Sequence, residues 1–297
     1  MRNHKSQKPQ TWTVLDALQW TAGFFHSRHI DSPRLTAELL LAEVMGVGRI
    51  DLYIRHDQPL SANELASYRG LIRRRVSREP VAYILGTREF WGLPFEVNRD
   101  VLIPRPETEH LVEAALFRIP GETNDPGRII DLGTGSGAVV VSLAVERPGN
   151  MYFAVDRSYP ALKLAEKNAA QNGVAGNIRF FAGRWLDAVD PGGPGFDMIV
   201  SNPPYVRTCD LADLEPEIRE YEPLPALDGK KDGLGAVRTI ASLAPAHLKP
   251  EGFLLMEIGY DQKEAVEELC RELGAYREPE FVRDYGGHDR VAVLRKI

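Results

Sequence analysis

From Arg128 to the end of the chain, short apolar runs typical of strands alternate with stretches that have the spacing of helices. The runs that predict strands span residues 128–132, 151–155, 178–182, 196–200, 253–258, 280–284 and 291–294. The stretches that predict helices include residues 138–146, 160–172, 236–248 and 262–273. Consecutive parallel strands need a crossover connection, which is usually a helix. The alternation therefore predicts an α/β fold with a doubly wound, mostly parallel sheet.

The first 86 residues lack this alternation and have the pattern of helices. Ser32 precedes Pro33, which suits an N-cap residue followed by proline at the first helical position. Ser61 stands three residues before Glu64, which is the spacing of a capping box at the start of another helix. We therefore expect residues 1–86 to form a small helical domain.

The segment at 88–102, between these two parts, is rich in aromatic and β-branched residues. Its turn-forming residues, Gly92 and Pro94, separate two short runs, and this arrangement predicts a β-hairpin. We therefore expect a β-hairpin linker at 87–103 and an α/β domain at 104–297, after the helical domain.

Composition and charge limit the classes of protein to consider. No apolar run is long enough to cross a bilayer, and the first twelve residues lack the apolar core of a secretory signal. The two cysteines, Cys209 and Cys270, do not suggest a disulfide framework, so we expect a reduced cytoplasmic protein without a membrane partner. The net charge is −6, although residues 1–90 carry 13 Lys and Arg against 9 Asp and Glu. The basic run Arg73–Arg75 is either a solvated helix face or a contact for a partner.

A glycine-rich loop follows the first strand of the predicted sheet. Gly133, Gly135 and Gly137 allow sharp turns and a close approach of the backbone to a ligand. Asp156 ends the next strand, where a carboxylate can accept hydrogen bonds from ribose hydroxyls. Residues 133–138 also fit G-x-G-x-x-A, the relaxed form of the glycine motif that binds dinucleotides. The loop therefore does not distinguish NAD from other adenosine cofactors. The alternative is a glycine-rich turn beside a solvent-facing aspartate.

The sequence Asn202-Pro203-Pro204-Tyr205 follows a buried strand that ends at Val200. Two successive prolines remove two backbone N–H donors, so the segment offers only carbonyl oxygens there. Asn202 adds a side-chain carbonyl, and Tyr205 adds a flat aromatic face. Together these groups suit a planar –NH2 group, which needs two acceptors and a surface to stack on. The alternative is a turn that only ends the strand.

Both motifs follow strands of the same predicted sheet. In open α/β sheets the ligand crevice lies outside the carboxyl ends of the strands. We therefore expect the loop at 133–137 and the segment at 202–205 to meet at one edge of the sheet. The seven histidines are scattered, and neither HExxH nor Cys-x-x-Cys spacing is present, so we predict no metal site. The sequence also lacks the GxSxG motif of a covalent nucleophile.

With this loop, Asp156 and the Asn-Pro-Pro-Tyr segment together, the chain resembles class I S-adenosylmethionine-dependent methyltransferases that modify planar nitrogens. Four further stretches narrow the resemblance to the peptide chain release factor N5-glutamine methyltransferases. These stretches are LIPRPETE at 102–109, EPLPALDGKKDGL at 222–234, MEIGYDQ at 256–262 and RDYGGHDRV at 283–291. The helical domain and the hairpin match as well, so the resemblance covers nearly the whole chain. It implies a seven-stranded methyltransferase sheet whose last strand is antiparallel.

The resemblance also implies a role for each site residue. Five consecutive residues would hold the methionine end of S-adenosylmethionine, namely Gly133, Thr134, Gly135, Ser136 and Gly137. Asp156 would bind the ribose, Trp185 would pack near the adenine, and Asn202 would also contact the cofactor. The segment at 202–205 would hold the substrate glutamine. In it, the Asn202 side-chain oxygen and the Pro203 carbonyl would each accept one amide proton, and Tyr205 would stack on the amide plane.

The chain departs from the family in one place. An acidic residue is expected just before Trp185, where it would accept a hydrogen bond from the adenine amino group, but this chain has Arg184. Asp187 or a backbone carbonyl would then take that role. Glu107 and Thr108 are placed near the methionine end of the cofactor by the resemblance alone. The alternative for Glu107 is that it caps the helix that begins there.

The resemblance implies N5-methylation of the glutamine in the Gly-Gly-Gln motif of class-one peptide chain release factors. The helical domain would grip this protein partner. A sister family that methylates a glutamine of a ribosomal protein shares the architecture but lacks the Pro-Glu-Thr after Pro-Arg. Methylation of an exocyclic amine of adenine or guanine is another alternative, although the acidic α/β domain argues against nucleic acid as a partner. An NAD enzyme or a catalytically silent binding module on the same sheet is disfavoured by the Asn-Pro-Pro-Tyr segment.

Overall fold

The computed structural model describes residues 11–119 and 126–297, and the chain divides into two compact units. The first unit ends at Leu85, and the second runs from Gly86 to Ile297. The N-terminal residues whose composition argues against a secretory signal lie mostly outside the described ranges. Within those ranges, no helix is both long enough and apolar enough to span a membrane.

The described residues of the first unit form helices connected by short loops. These helices are α1 (Val14–Ser27), α2 (Pro33–Met45), α3 (Arg49–Ile54), α4 (Ala62–Val76) and α5 (Val81–Leu85). Their apolar side chains pack into one core, which includes the fully buried Phe25, Leu40 and Leu52. The small N-terminal helical domain expected from the sequence is therefore present.

The sequence predicts two helix starts in this unit, and only one of them has the expected hydrogen bonds. The Ser61 hydroxyl accepts from the Glu64 backbone N–H at 3.2 Å, and the Glu64 carboxylate accepts from the Ser61 N–H at 2.7 Å. The capping box of α4 is therefore confirmed. Ser32 does precede Pro33 at the start of α2, but its side chain makes no capping hydrogen bond. An N-cap residue normally has an extended backbone, whereas Ser32 is left-handed with φ +44°.

The three arginines of the basic run on α4 have different environments. Arg74 donates to the Glu79 carboxylate from Nε and from Nη2, both at 2.8 Å. Arg75 is buried, and its Nη1 donates to the Glu79 carbonyl at 3.3 Å. Arg73 is exposed and makes neither of these contacts. The run is therefore not a uniform cationic face, and Arg73 is its one exposed member that makes neither contact with Glu79.

A buried carboxylate connects α2 and α3. Glu38 accepts hydrogen bonds from Arg34 Nε at 2.6 Å, from Arg49 Nη2 at 2.9 Å and from the Tyr53 hydroxyl at 2.5 Å. Burial by itself raises the pKa of Glu38, but the hydrogen bonds from Tyr53, Arg49 and Arg34 outweigh it and hold the pKa below its ordinary value. The ionised carboxylate therefore stabilises the folded unit.

We expect Glu38→Gln to lower the free energy of unfolding by about 1–3 kcal/mol at pH 7, because an amide cannot accept all three hydrogen bonds. A lowered carboxyl pKa contributes stability that is present above the unfolded pKa and is lost as pH falls through the folded pKa. The deficit of the variant should therefore shrink below about pH 4. Urea unfolding at pH 7 and at acid pH measures this loss in the free energy of unfolding. Glu43→Gln is the control, since Glu43 is an exposed glutamate of the same helix. An equal deficit at both pH values would contradict this account.

The second unit begins with a β-hairpin of β1 (Thr87–Phe90) and β2 (Leu93–Glu96). Trp91 and Gly92 form its turn with φ values of +53° and +67°, as a two-residue type I′ turn requires. The sequence analysis places Pro94 in the turn, but Pro94 lies inside β2. A proline is tolerated there because, among the described residues, β1 is the only strand that pairs with β2, so no second strand needs an N–H from position 94.

The remainder of the second unit is a sheet with helices on both faces. Its strands are β3 (Arg128–Leu132), β4 (Met151–Asp156), β5 (Ile178–Ala182), β6 (Phe196–Ser201), β7 (Leu248–Glu257), β8 (Glu280–Arg283) and β9 (Asp289–Arg295). Its helices are α6 (Glu109–Arg118), α7 (Ala138–Glu146), α8 (Tyr159–Gln171), α9 (Pro216–Tyr221), α10 (Gly235–His247) and α11 (Lys263–Leu273). The strand order is β5-β4-β3-β6-β7-β9-β8, and β9 runs antiparallel to both of its neighbours. The predicted seven-stranded, mostly parallel sheet is therefore confirmed.

β7 begins at Leu248, earlier than the sequence pattern predicts. The predicted strand begins only at Phe253, and the residues just ahead of it include Pro250 and Gly252. The structure keeps them in the strand through an irregularity: Glu251 has φ +63°, and the pairing with β6 shifts register between Phe196 and Met198. The chain thus passes directly from α10 into β7.

Candidate active site

A cavity of about 550 Å³ opens at the carboxyl ends of β3, β4 and β6, and its size suits a cofactor or a small ligand. Most residues that the sequence analysis singles out lie in its wall, namely Gly133, Thr134, Gly135, Ser136, Asp156, Trp185, Asn202 and Pro204. Gly137, Pro203 and Tyr205 belong to the same two segments but are not part of the wall. The structure therefore brings the glycine-rich loop and the Asn-Pro-Pro-Tyr segment to one cavity.

Backbone hydrogen bonds hold the glycine-rich loop against the end of β4. The N–H groups of Gly133 and Thr134 donate to the Val155 carbonyl at 2.8 Å and 3.1 Å. Gly135 has φ +56°, and a Cβ built on it would meet no protein atom closer than the Gly133 carbonyl oxygen at 4.0 Å. A side chain at position 135 would occupy open space in the cavity, so glycine leaves the backbone accessible to a ligand.

A buried asparagine fixes the far end of this loop. Asn168 on α8 donates from Nδ2 to the Ser136 carbonyl at 2.8 Å and to the Glu96 carbonyl at 3.0 Å, and its Oδ1 accepts from the Glu96 N–H at 2.7 Å. Gly137 starts α7 with φ +81°, and a Cβ there would lie 3.1 Å from the Ala165 Cβ. Asn168 is not among the residues predicted from the sequence, although an amide on the apolar face of a helix is a usable signal.

Two carboxylates line the cavity beside the loop. Asp156 accepts from the Gly135 N–H at 2.9 Å and from the Ser158 N–H at 2.8 Å, so it joins the loops after β3 and β4. Asp131 is buried and accepts from the Thr134 hydroxyl at 2.7 Å. Burial raises the pKa of the Asp131 carboxyl to about 7, the Thr134 hydrogen bond opposes this rise, and the negative charge of Asp156 adds to it. Asp131 is not among the residues predicted from the sequence, although a carboxylate between Ile130 and Leu132 of a strand is a usable signal.

The loop after β5 contributes Trp185 to the cavity. Trp185 is left-handed with φ +58°, and its Cζ3 lies 3.4 Å from the position of a Cβ on Gly133. Arg184 also lines the cavity. Asp187 does not line it, because its Oδ1 accepts from the Arg184 N–H at 2.7 Å and closes the turn. The structure therefore places an arginine, and no acidic side chain of this loop, in the cavity wall.

The Asn-Pro-Pro-Tyr segment leaves the sheet directly after β6. Ser201 anchors it, since the Ser201 hydroxyl donates to the Leu132 carbonyl of β3 at 2.7 Å. The Asn202 Nδ2 donates to the Thr108 hydroxyl oxygen at 3.0 Å. Within the described part of the chain, no donor is hydrogen-bonded to Asn202 Oδ1 or to the Pro203 carbonyl. Two successive acceptors are therefore without a hydrogen-bond donor among residues 11–119 and 126–297.

A buried carboxylate at the end of β7 supports this segment. Glu257 is 0% exposed and accepts from the Thr108 hydroxyl at 2.7 Å and from the Tyr205 hydroxyl at 3.0 Å. Burial raises the pKa of Glu257, and the two hydrogen bonds and the charge of Arg290 oppose this rise. Thr108 thus connects Glu257 to Asn202. The sequence analysis did not assign a role to Glu257, although it ends an apolar strand in the stretch MEIGYDQ.

Further contacts connect the stretches that carry the resemblance to one another and to the Asn-Pro-Pro-Tyr segment. The buried Glu222 carboxylate accepts from the Arg105 guanidinium, which links the stretch at 222–234 to the one at 102–109. Gln262 donates from Nε2 to the Tyr205 carbonyl at 3.2 Å. The stretch at 256–262 therefore holds the backbone of the Asn-Pro-Pro-Tyr segment at Tyr205. Among residues 11–119 and 126–297, no group of three or more His, Cys, Asp or Glu side chains could hold a metal ion.

Two family models match the chain. Residues 16–86 match the PrmC N-terminal domain, and residues 115–214 match the methyltransferase small domain. The first match covers most of the helical unit, and the second covers the strands and loops that form the cavity from β3 to β6.

Similar proteins span nearly the whole chain. The release factor glutamine methyltransferase of Geobacter sulfurreducens is 42% identical, over 96% of this chain and 98% of the relative. The protein of the same name from Neisseria gonorrhoeae is 45% identical, over 88% of this chain and 93% of the relative. A crystal structure of a release factor-specific protein-(glutamine-N5) methyltransferase from Alicyclobacillus acidocaldarius is 32% identical, with 68% of this chain and 99% of that chain covered and a TM-score of 0.42.

Proposed function

The chain belongs to the release factor glutamine methyltransferase family, and we propose that it transfers a methyl group from S-adenosylmethionine to the side-chain amide nitrogen of a release factor glutamine. The observation that carries the proposal is the cavity itself. In it, the glycine-rich loop and Asp156 face the same space as Asn202, whose side-chain oxygen has no hydrogen bond to the described residues. A nucleotide-type cofactor and an –NH2 group can therefore be held next to each other.

The residues present fit S-adenosylmethionine. This cofactor supplies a methyl group on a positively charged sulfur, so the protein need not provide a covalent nucleophile. The open space at Gly135 admits a ligand close to the backbone, and Asp131 and Asp156 provide negative charge for a cationic ligand. We propose that the loop from Gly133 to Gly137 holds the methionine end. Asp156 would bind the ribose.

We propose that Trp185 packs against the adenine. Its position next to the glycine-rich loop supports this role. The Asp187 carboxylate is used inside its own turn, so a backbone carbonyl of the loop is the better candidate acceptor for the adenine amino group. Arg184 lies at the same wall and offers a planar guanidinium that can stack on a base.

Asn202, Pro203 and Tyr205 would position the substrate amide. The Asn202 side-chain oxygen and the Pro203 carbonyl would each accept one amide proton, because neither has a protein donor in the described structure. The Tyr205 ring, fixed through its hydroxyl on Glu257, would stack on the amide plane, and Pro204 in the cavity wall would complete the pocket. These contacts aim the nitrogen at the methyl group and stabilise the positive charge that develops on it.

One amide proton leaves to water once the carbon–nitrogen bond has formed.

Positioning accounts for most of the catalysis in this scheme. An amide nitrogen is a weak nucleophile because its lone pair is delocalised into the carbonyl. Correct orientation of two reactants can lower a barrier by about 7–11 kcal/mol. The cavity offers orientation through fixed acceptors, and none of its side chains needs to form a covalent bond.

The pKa of Asp131 leads to a pH dependence of cofactor binding. With a pKa of about 7, this carboxyl gains its negative charge as pH rises from 6 to 7.5. A cationic ligand should therefore bind more tightly at pH 7.5 than at pH 6, and Asp131→Asn should remove most of this difference. Calorimetric titration with S-adenosylmethionine at the two pH values measures it. Equal pH dependence in the wild type and the variant would contradict this role of Asp131.

We propose the glutamine of the Gly-Gly-Gln motif in class-one peptide chain release factors as the acceptor. The names of the relatives support this substrate class. The Pro-Glu-Thr at 106–108, which separates the resembled family from its ribosomal-protein counterpart, is also part of the site, since Thr108 is hydrogen-bonded to Asn202. We further propose that the reaction takes place in the cytoplasm.

We also propose a role for each of the three segments of the chain. The helical domain at 1–86 would grip the release factor, the hairpin at 87–103 would link the domains, and the domain at 104–297 would bind the cofactor and catalyse transfer. Arg73 is the member of the basic run best suited to contact a partner, since Arg74 and Arg75 bond to Glu79.

Transfer of a labelled methyl group to a panel of acceptors tests the proposed substrate. The panel contains a class-one release factor, the same factor with its Gly-Gly-Gln glutamine changed to alanine, a ribosomal protein fraction, and duplex DNA with structured RNA. We expect label on the intact release factor alone. Label on the ribosomal proteins or on nucleic acid instead would show that the substrate is assigned wrongly.

A further inference from the structure

Three side chains from distant parts of the chain, Asn202, Thr108 and Glu257, form one hydrogen-bonded relay behind the substrate pocket. Glu257 accepts from the Thr108 hydroxyl at 2.7 Å, and Thr108 in turn accepts from Asn202 Nδ2 at 3.0 Å. Glu257 also accepts from the Tyr205 hydroxyl at 3.0 Å. Thr108 and Glu257 are buried, so water does not replace these bonds freely.

The relay has a direction because a hydroxyl carries only one proton. Both the Thr108 and the Tyr205 hydroxyls donate to Glu257, one to each carboxyl oxygen. The Thr108 oxygen can then only accept from its other neighbour. The Asn202 amide therefore turns its –NH2 toward Thr108 and its oxygen away from it.

We propose that Glu257 is a positioning residue that sets, through Thr108, which atom of the Asn202 amide faces the substrate. This inference rests on the proposed function, since it assigns the acceptor character of the pocket to the relay. The oxygen and nitrogen ends of an asparagine side chain have nearly the same shape, so packing alone does not choose between them. With the relay intact the pocket presents an oxygen, which suits an amide –NH2 and repels a carboxylate.

Burial raises the pKa of Glu257 above its ordinary value, and the charge of Glu107 adds to this rise, whereas the hydrogen bonds from Thr108 and Tyr205 and the charge of Arg290 oppose it. Arg290, which Asp284 holds at 3.0 Å, is the cation that favours the ionised carboxylate. Burial and the charge of Glu257 raise the pKa of Tyr205 well above its ordinary value, so this hydroxyl stays protonated and remains a donor.

Substitutions at Glu257 and Thr108 change the relay in different ways. Glu257→Gln keeps the shape, but its –NH2 must face one of the two hydroxyls that need an acceptor. Thr108→Val removes the hydroxyl with little change of volume, and Thr108→Ser restores it. We expect Glu257→Gln and Thr108→Val to lower kcat by about 10- to 100-fold, comparable to the effect of removing a hydrogen-bond partner that orients a metal ligand. Thr108→Ser should recover most of this loss.

The decisive readout is discrimination between an amide and a carboxylate. A release factor whose Gly-Gly-Gln glutamine is changed to glutamate should inhibit the wild type poorly, because its carboxylate meets acceptor oxygens. In Glu257→Gln and Thr108→Val the Asn202 amide can turn its –NH2 to the pocket. The glutamate factor should then inhibit more strongly, while the affinity for S-adenosylmethionine stays within about threefold of the wild type.

Thr36→Val is the matched control, since Thr36 is a buried threonine of the helical unit whose hydroxyl donates to the Asp31 carbonyl at 3.3 Å. This control should keep wild-type rates and wild-type inhibition. If the Thr108→Val variant binds the release factor with glutamine and the one with glutamate equally weakly, the relay only maintains the structure of the pocket. That result would overturn the inference. If the wild type is active and the Glu257→Gln and Thr108→Val variants have the same rates and the same inhibition as the wild type, the inference about the relay is overturned. The proposed function would then remain intact. A wild type that does not methylate the release factor would overturn both.

Discussion

Asn202→Ala should lower kcat for methyl transfer by about 10²- to 10³-fold, the range measured when a single stabilising group is removed from a transition state. The variant lacks the side-chain acceptor that holds one amide proton and orients the nitrogen. The cofactor has many other contacts in the cavity, so its dissociation constant should change by less than about tenfold. Single-turnover kinetics with the release factor, together with a cofactor titration, measure the two effects separately.

Asn177→Ala is the control for this substitution. Asn177 lies outside the cavity wall, and its Nδ2 donates to the Pro148 carbonyl at 2.8 Å. The control should keep the wild-type rate. If Asn202→Ala lost cofactor binding and kept kcat at saturating cofactor, Asn202 would belong to the cofactor site and the –NH2 receptor would be assigned wrongly.

Asp156→Ala should raise the dissociation constant for S-adenosylmethionine by about 10²-fold or more. Hydrogen bonds to a charged group contribute about 1.5–3 kcal/mol each, and a tenfold change in affinity corresponds to about 1.4 kcal/mol. The substitution removes the proposed acceptor for the ribose and also the bonds to the Gly135 and Ser158 N–H groups. Calorimetric titration measures the affinity directly.

Asp190→Ala provides the comparison for Asp156. Asp190 is exposed, and its Oδ1 accepts from the Gly192 N–H at 2.8 Å in a turn outside the cavity wall. It should bind the cofactor as the wild type does. Unchanged affinity in Asp156→Ala would mean that the cofactor occupies another part of the cavity.

The sheet and its order of strands and helices follow from the sequence because their signals are local. Each strand, such as 128–132 or 196–200, is predicted from a window of about ten residues, and so is the helix that follows. The differences arise where one residue type permits two structures. Pro94 is compatible with a turn and with the outer side of a hairpin strand, and the sequence around Glu251 reads as a turn although the strand continues through it.

The site is only partly predictable from the sequence, for a related reason. The glycine-rich loop and the Asn-Pro-Pro-Tyr segment are contiguous, so each suggests its chemistry alone. The relay joins Thr108 to Asn202, which lies 94 residues later in the chain, and to Glu257, which lies 149 residues later. No local sequence pattern connects these three residues. Asp131 is a different case, because its pKa depends on burial, which the sequence indicates only through the apolar residues around it.

The most direct test of the central claim is to find the atom that carries the methyl group. A class-one release factor is incubated with S-adenosylmethionine and the wild type or Asn202→Ala, and the peptide that contains the Gly-Gly-Gln motif is fragmented in a mass spectrometer. We predict one methyl group on the side-chain nitrogen of that glutamine with the wild type, and almost none with Asn202→Ala. A methyl group on any other atom, or equal modification by both proteins, would contradict the account.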